Sequence, residues 1–361
     1  MEAERWLSVL KMARHRSGGI HPYLWNKAEK PPVRSSATAE YIRFCSWLET
    51  ARPGTAANVQ APADFLRSKM LDNGAVPYEM VPHTLASVRE CPHLVFDSMS
   101  TAIAAQACGD EDLLGRSLDF IRWSYDQLPP GEFLPIWYHF ELPQSKTPDH
   151  WSQQPSCHQS LVAQLELDEF TCSTWGDSVV EDIGDVIGSA LRSRTAAGLF
   201  DADRYKPTVP LLPHFVTCES ILKHLAESGD DDTLRAAASG VRRGVAQLCE
   251  ADGFGDSVEP DGTLAGHRRP RLIATAIRTG LMANAVLGEE IVGRDELDKL
   301  NASLMDSRFE SGAFAGLLPV SSDSRWEEDT LACVAGCMVA FQAHTLLAAD
   351  SLGADDFRIL V

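Results

Sequence analysis

The sequence predicts an all-α protein, and more specifically an (α/α)6 toroid, in which six helical hairpins form an inner and an outer ring of helices. Strand signals are nearly absent, since few stretches alternate β-branched and polar residues. A glycine that follows an amphipathic stretch recurs at positions 18, 74, 131, 198, 253 and 312, at intervals of 56, 57, 67, 55 and 59 residues. So regular a period indicates a structural repeat, and six hairpins is the number that closes a ring.

Each hairpin is predicted to pair a polar outer helix with an apolar inner one. The polar helices precede the glycines, which fit the left-handed position that ends a helix; they are expected over residues 4–16, 61–72, 112–127, 178–195, 231–249 and 294–309. The inner helices are rich in Ala, Ser, Thr and Gly, which permit packing on both sides; they are expected over 36–51, 97–108, 156–170, 214–228, 271–287 and 329–349. The prediction is one toroid domain spanning 1–361, and the alternatives are an irregular all-α domain or an open superhelix.

Composition narrows the class of protein. Hydrophobic residues make up 44% and charged residues 23% of the chain, which excludes a disordered or fibrous protein. The 51 acidic and 32 basic residues give a net charge of −19, so no nucleic-acid partner is expected. The nine cysteines form no C-x-x-C pair, so we expect reduced thiols, a cytoplasmic location and no metal site. Neither a signal peptide nor a membrane span is expected.

The loops from outer to inner helices are long and carry most of the unusual residues. All of these loops are predicted to meet at one mouth, where the inner helices begin, and we expect the functional site there. Aromatic side chains in or beside the loops are candidates for substrate binding, because they stabilise carbocations or stack on sugar rings. About half could instead be packed loop anchors. The candidates are Trp137, Tyr138, Phe140, Trp151, Tyr205, Phe314 and Trp326.

Three of the glycine repeats resemble those of terpenoid cyclases and protein prenyltransferases. That family's repeat has a small residue, an aromatic–aliphatic pair, a glutamine and Gly-x-Trp. The matching stretches are Ala61…Phe65-Leu66…Met70…Gly74-Ala75-Val76, Phe120-Ile121…Gln127…Gly131-Glu132-Phe133 and Gln247…Asp252-Gly253-Phe254-Gly255-Asp256. Other six-hairpin toroids share this period, including glycoside hydrolases, lyases and sugar epimerases.

The second inner helix carries a partial match to a catalytic motif. Class II terpene cyclases protonate an alkene with Asp-x-Asp-Asp-Thr-Ala at the corresponding position, and the stretch here is Asp97-Ser98-Met99-Ser100-Thr101-Ala102. Met99 and Ser100 replace the second and third aspartates. The resemblance implies that Asp97 polarises or protonates a substrate; the alternative is that Asp97 or Ser98 caps the helix.

Other candidates flank the predicted inner helices. Arg268, Arg269 and Arg271 form the only dense basic cluster and suit a phosphate, a diphosphate (with Mg²⁺ as a possible cofactor) or a carboxylate. Local pairing with nearby acidic residues (Asp256, Glu259 and Asp261) is an equal alternative. His158 and His214 are candidates for general acid–base catalysis. Glu327, Glu328 and Asp329 are candidates for either helix capping or catalysis.

These residues lead to three hypotheses. The first is a terpenoid-cyclase-like enzyme that acts on an apolar isoprenoid, a prenyl diphosphate, in a central cavity. The second is a carbohydrate-active hydrolase, lyase or epimerase, and the third is a non-catalytic binding toroid. The repeat phase predicts that residues near the inner-helix starts cluster around one mouth: Asp97, His158, His214, Arg271 and Asp329. The sequence does not predict the oligomeric state.

Overall fold

A computed structural model describes most of the chain and confirms the all-α class. The described residues are 3–25, 32–55, 58–77, 79–80, 93–126, 137–138, 157–201, 207–226, 230–321, 331–349 and 351–361. The α-helices within them are α1 (Val9–Met12), α2 (Ser35–Ala51), α3 (Gln60–Lys69), α4 (Val95–Cys108), α5 (Glu111–Asp126), α6 (Glu169–Trp175), α7 (Val179–Arg192), α8 (Leu211–Leu225), α9 (Asp231–Glu250), α10 (Pro270–Leu287), α11 (Arg294–Asp306) and α12 (Val334–Leu347). None of these helices combines the length and apolar character that a membrane span requires.

The strands of the described residues contain only two or three residues each. They pair in antiparallel fashion, β1 with β9, β2 with β3, β4 with β5, and β7 with both β6 and β8. Their bounds are β1 (Tyr23–Trp25), β2 (Val33–Arg34), β3 (Glu79–Met80), β4 (His93–Leu94), β5 (Trp137–Tyr138), β6 (Val209–Pro210), β7 (Ser257–Val258), β8 (Leu264–Ala265) and β9 (Leu331–Cys333). Four of these strands, β2, β4, β6 and β9, lie directly before inner helices and fix where those helices begin.

Contacts divide the chain into two compact units. The N-terminal unit comprises Arg14–Pro22, Pro32–Arg192 and Ile359–Val361, and the C-terminal unit comprises Met1–Ala13, Tyr23–Pro31 and Ser193–Arg358. The single domain over 1–361 stays a prediction.

In the N-terminal unit, α2 and α4 pack against each other, and α3 and α5 cover them. Twelve of the seventeen residues of α2 are buried, whereas four of the ten in α3 are, as expected for an inner and an outer helix. A 3₁₀ helix, Cys157–Gln164, packs between α4 and α7. Small residues in α2 and α4 allow the two helices to approach closely.

In the C-terminal unit, α10 lies between α8 and α12, and α9 and α11 pack outside. Thirteen of the eighteen residues of α10 are buried, against three of the thirteen in α11. The N-terminal 3₁₀ helix, Ala3–Ser8, and α1 pack on α12. The alternation of buried and half-exposed helices thus follows the predicted order in both units.

The repeated glycines adopt the predicted left-handed conformation. Five of the six lie in the described part of the chain and have φ between +76° and +96°, namely Gly18, Gly74, Gly198, Gly253 and Gly312. The sixth, Gly131, lies outside it. The glycines also allow close packing, because a Cβ on Gly74 would lie 1.8 Å from the Arg116 carbonyl oxygen in α5, and one on Gly18 would lie 2.3 Å from the Ala61 carbonyl oxygen in α3. Each of these two turns therefore packs on the next outer helix.

Gly74→Ala is expected to destabilise the protein more than the same change at Gly54. Both glycines have positive φ, +82° and +78°, so each alanine carries a left-handed penalty of about 1–2 kcal/mol. Only at Gly74 would the added Cβ clash with a neighbouring atom, and such overpacking lowers the stability by about 1–3 kcal/mol more. Urea unfolding measures the free energy of unfolding of both variants. Equal losses of stability in Gly74→Ala and Gly54→Ala would show that the contact with α5 does not require glycine.

Three predicted helices differ from the observed ones. The first, over 4–16, is the 3₁₀ helix Ala3–Ser8 followed by α1, which ends at Met12. The third inner helix, over 156–170, is the 3₁₀ helix Cys157–Gln164, because Asp168 starts a separate helix by accepting a 2.8 Å hydrogen bond from the Thr171 amide. This additional helix, α6, lies within the longest glycine interval of 67 residues. The last inner helix begins at Val334, since the three residues before it pair with β1.

Candidate functional site

Asp97 is a fully buried carboxyl group in the first turn of α4. Its side chain is 0% exposed, and neither carboxylate oxygen has a hydrogen-bond partner of standard geometry. The helix begins at Val95, so Asp97 is its third residue and does not cap it. Its backbone is held in place, because the Thr101 hydroxyl donates a 2.8 Å hydrogen bond to the Asp97 carbonyl. A buried polar group without partners is costly, and its retention is typical of a functional residue.

The surroundings of Asp97 favour the protonated acid. Burial is the largest cause and raises the pKa of Asp97 to about 8. The Ser36 hydroxyl and amide lower the pKa, the charge of Glu40 raises it, and the charge of Arg34 lowers it. At neutral pH the group is therefore a neutral carboxylic acid that can donate a proton.

The polar groups around Asp97 come from β2 and from the start of α2. Two hydrogen bonds fix this segment, since Thr38 Oγ1 accepts from the Ile20 amide at 3.0 Å and donates to the Arg34 carbonyl at 2.8 Å. A third bond of 2.5 Å runs from the Ser35 hydroxyl to the Pro77 carbonyl. Glu40, one turn further along α2, is buried at 6% exposure. The site is thus polar and rigidly supported.

A second polar contact lies deeper along α2. Arg43, which is buried, donates from Nη2 to Oε1 of Gln164 at 2.8 Å. Sequence reasoning missed Glu40, Arg43 and Gln164. The sequence did contain a signal for Glu40 and Arg43, because they are the only charged residues in the apolar part of α2. A helix that is packed on both sides buries such side chains, and buried charged residues are rare.

A comparable network joins the inner helices of the C-terminal unit. The Arg278 guanidinium donates to both carboxylate oxygens of Glu219, at 2.8 and 2.7 Å, and to Gln342 Oε1 at 2.8 Å. The Thr279 hydroxyl also contacts Glu219, at 2.8 Å. Both charged side chains are at most 2% exposed. Because the two charges are paired and hydrogen-bonded to each other, we interpret this network as structural.

His214 is a buried histidine with both ring nitrogens hydrogen-bonded within the protein, and its role as an acid–base catalyst stays a prediction. It is 0% exposed, its Nδ1 accepts from the Phe200 amide at 3.0 Å, and its Nε2 lies 3.0 Å from the Gly240 carbonyl. These bonds fix the neutral tautomer with the proton on Nε2. Burial lowers the pKa of His214 to about 4, and the ring ties the Gly198 turn to α9.

His214→Ala is expected to cost stability at pH 7 and to cost less at lower pH. An unfolded histidine takes up a proton below about pH 6.5, whereas the folded ring stays neutral down to about pH 4. The stability contributed by the neutral ring is therefore lost as pH falls through this window, by about 2 kcal/mol between pH 6.5 and pH 5. Urea unfolding at pH 7 and pH 5 measures the change, with the exposed His267→Ala as control. A pH-independent gap between wild type and His214→Ala would contradict this account.

The predicted basic cluster is engaged locally. Arg269 forms an ion pair with Asp256, which favours the alternative of local pairing. Arg268 donates to the Asp252 carbonyl at 2.8 Å and lies 5.9 Å from the centroid of the Phe254 ring. Arg268 also lines a cavity of about 230 Å³, but that cavity contains two carboxylates as well as two cations: Asp252, Arg268, Lys299 and Asp306. Arg271 lies in the first turn of α10.

The structure describes some of the remaining candidate residues and not others. Trp137 and Tyr138 form β5, and His158 lies in the 3₁₀ helix Cys157–Gln164; the side chains of all three lie outside the described residues. Phe314 is buried against Phe309, with ring centroids 6.2 Å apart. Outside the described part of the chain lie Phe140, Trp151, Tyr205, Trp326, Glu327, Glu328 and Asp329. The clustering of these candidates at one mouth stays a prediction.

Comparisons with known proteins identify the fold. No protein-family model matches the sequence, and a search of curated proteins found no match. Among solved structures, the chain is similar to a sugar epimerase from a ruminal bacterium (TM-score 0.70, 10% identity, 97% of this chain and 99% of that one). It is also similar to cellobiose 2-epimerase from Spirochaeta thermophila (TM-score 0.65, 15% identity, 94% of this chain and 93% of that one). A third similar structure is the type II terpene cyclase MstE from Scytonema (TM-score 0.61, 13% identity, 96% of each chain).

At these identities the similarity shows the fold. It confirms the (α/α)6 toroid fold predicted from the repeats.

Proposed function

We propose that this protein is an enzyme that transforms a sugar by acid–base chemistry, with Asp97 as the proton donor. The observation that carries the proposal is a fully buried carboxyl group whose oxygens make no hydrogen bond of standard geometry, held at the start of an inner helix among polar side chains. Isomerisation, epimerisation and glycoside hydrolysis all require a positioned acid at a sugar oxygen.

The protonation state of Asp97 suits this role. A general acid works best when its pKa lies near the operating pH, and a pKa of about 8 leaves Asp97 protonated yet able to release its proton. An exposed aspartate would be ionised at pH 7 and could not donate.

The polar surroundings favour a sugar over an isoprenoid. An apolar ligand against Asp97 would keep this carboxyl group buried and offer it no hydrogen-bonding group, at a cost of about 1–3 kcal/mol. Sugar hydroxyls supply both donors and acceptors. Two of the similar structures described above are named for sugar epimerisation, which supports the same substrate class.

Isoprenoid cyclisation is the second candidate. It is favoured by the match of Asp97 and Thr101-Ala102 to the class II cyclase motif and by the similarity in fold to a type II terpene cyclase. In that reaction the neutral Asp97 would protonate an alkene. A diphosphate held by the arginine cluster is not part of this candidate, since Arg269 pairs with Asp256.

Asp97→Asn tests the proposed function directly. Wild type is incubated in D₂O with a panel of aldoses, ketoses and disaccharides, and NMR detects deuterium incorporation, epimers or released reducing ends. We expect turnover of at least one sugar, and a loss of about 10²–10⁴-fold in kcat in Asp97→Asn. Asp119→Asn, the same change at an exposed position of α5, is the control and should behave as wild type.

Each other outcome favours another function. Full activity in Asp97→Asn would contradict the role of Asp97. Conversion of a polyprene or prenyl diphosphate without any change in the sugars would favour isoprenoid cyclisation. Turnover of neither substrate class would favour a binding toroid.

A further inference from the structure

We propose that a cavity in the C-terminal unit is a sugar-binding site in its own right, which takes a small neutral sugar. The cavity has a volume of about 230 Å³ and is lined by the end of α9, by Arg268 before α10 and by the last two turns of α11. Pockets for drug-sized ligands have volumes of about 300–1,000 Å³, so this cavity suits a single sugar ring. All of its lining residues belong to the C-terminal unit, so the inference does not depend on the reaction proposed for Asp97.

The charges in the cavity select the class of ligand. Two carboxylates and two cations line it, Asp252 and Asp306 against Arg268 and Lys299. A phosphate or another anion would lie against the carboxylates, and a polyamine or another cation would lie against the basic side chains, so either would be repelled. A sugar carries no charge, and each of its hydroxyl groups can donate a hydrogen bond to a carboxylate and accept one from a cation.

The ion pair between Lys299 and Asp252 retains hydrogen-bonding groups for a ligand. Lys299 Nζ donates to the Cys249 carbonyl at 2.6 Å and lies 2.8 Å from Asp252 Oδ1. An ammonium group has three donors and a carboxylate has two acceptor oxygens, so one N–H of Lys299 and Oδ2 of Asp252 remain. Neighbouring hydroxyls of a sugar can bond to both while the ion pair stays intact. An amino acid, in contrast, would have to compete with the ion pair for each charge.

Asp306 supplies a further acceptor on the same side of α11. Lys299 and Asp306 are separated by two helical turns, so they lie on one face of the helix. Within the part of the chain that the structure describes, the Asp306 carboxylate makes no hydrogen bond or ion pair, whereas Asp298 on the same helix pairs with Arg294. An unpaired carboxylate that lines a cavity is available to a ligand.

The backbone holds Asp252 in an unusual conformation. Its φ of +51° is the only positive value for a non-glycine residue in the described ranges. Glycine is favoured in this left-handed conformation after a helix, so an aspartate is retained here at an energetic cost. Arg268 Nη2 and Ser303 Oγ both donate to the Asp252 carbonyl, at 2.8 and 2.9 Å, and fix its position. A residue held in such a conformation by its surroundings is typical of a functional site.

An exposed aromatic ring lies beside these groups. Phe254 is 51% exposed, and its ring centroid lies 5.9 Å from the Arg268 guanidinium carbon. Small-ligand sites typically combine aromatic side chains with a few polar groups. A sugar ring matches this combination, because it has an apolar face of C–H groups as well as hydroxyls.

Methyl NMR tests the site directly. In protein labelled at the Ala and Leu methyl groups, the Leu300 and Ala302 signals report on the cavity, because both residues line it. D-glucose, D-mannose and D-fructose are titrated separately, with free L-serine and inorganic phosphate as comparison ligands. We expect at least one sugar to shift both signals saturably with a Kd of about 1–10 mM, and the comparison ligands to leave them unshifted.

Carboxylate variants test the contacts. Asp306→Asn should weaken sugar binding at least about 10-fold, because it removes a charge-assisted hydrogen bond, and it should leave the fold intact. Asp252→Asn, which keeps the shape of the side chain, should weaken it similarly. Asp298→Asn, the same change at an exposed position of α11 outside the cavity, is the control and should bind as wild type does.

Unshifted Leu300 and Ala302 signals with all three sugars would overturn the site, and shifts caused by L-serine or phosphate alone would overturn the choice of a sugar. Wild-type affinity in Asp306→Asn would overturn the assigned contacts. Asp97→Asn distinguishes this inference from the proposed function, because it should lose turnover and keep the methyl shifts. If wild type converts no sugar while a sugar still shifts both signals, the proposed function fails and this site stands.

Discussion

Arg278→Met is expected to lower the free energy of unfolding by about 3–5 kcal/mol. The substitution removes the guanidinium that donates to both oxygens of Glu219 and leaves that carboxylate buried at 1% exposure. Gln342 loses its hydrogen bond to Arg278 at the same time. The measurement is urea unfolding at pH 7, followed by circular dichroism.

Two further variants identify the cause of this loss. Asp298→Asn breaks an exposed ion pair with Arg294 in α11 and should cost no more than about 0.5 kcal/mol. Arg278→Met combined with Glu219→Leu removes both buried charges and should recover most of the stability, because the penalty comes from the uncompensated carboxylate. If the double variant is less stable than the single one, the network stabilises through its hydrogen bonds rather than through charge compensation.

Asp97→Asn is expected to raise the free energy of unfolding at pH 7 by about 4 kcal/mol. The unfolded aspartate ionises near its ordinary pKa of 3.8, whereas the folded one keeps its proton up to about pH 8. Ionisation therefore favours the unfolded chain across this window, so the stability of wild type falls as pH rises through it and levels off above pH 8. Asparagine resembles the protonated acid in shape and has no proton to lose.

The pH dependence separates this effect from any change in packing. The stability gap between Asp97→Asn and wild type should widen by about 4 kcal/mol between pH 5 and pH 8, whereas a packing effect is the same at both. The exposed Asp119→Asn should show no such trend. A constant gap for Asp97→Asn would mean that Asp97 is ionised in the folded protein, and its role as proton donor would then be rejected.

Helix order was predictable because its causes are local. The turn glycines and the polarity of the preceding stretches depend on nearby residues, and five of the six turns have the expected conformation. The 3₁₀ helix at Cys157–Gln164 was not predictable in this way. Its end depends on Asp168 starting another helix, a choice that periodicity alone does not reveal.

The candidate site was predicted less completely, for the opposite reason. Asp97 was selected as a candidate through a motif, but its burial depends on packing against α2, which lies about sixty residues earlier. The sequence also does not reveal the two hydrogen-bond partners of His214, Phe200 and Gly240, which come from a turn and a distant helix. A titratable residue near a helix start has the same appearance in sequence whether its hydrogen-bonding groups are satisfied or free.

The contact between a turn glycine and the next outer helix has a consequence for how such a chain can evolve. The absence of a side chain lets Gly18 contact the backbone carbonyl of Ala61 and lets Gly74 contact that of Arg116. These two contacts set the spacing between neighbouring outer helices. This spacing does not depend on the number of residues that connect the helices. Insertions in the segments between these points of contact can therefore be accommodated without disturbing the scaffold. The loops can then vary in length and sequence, whereas a side chain at either glycine would clash with the next outer helix.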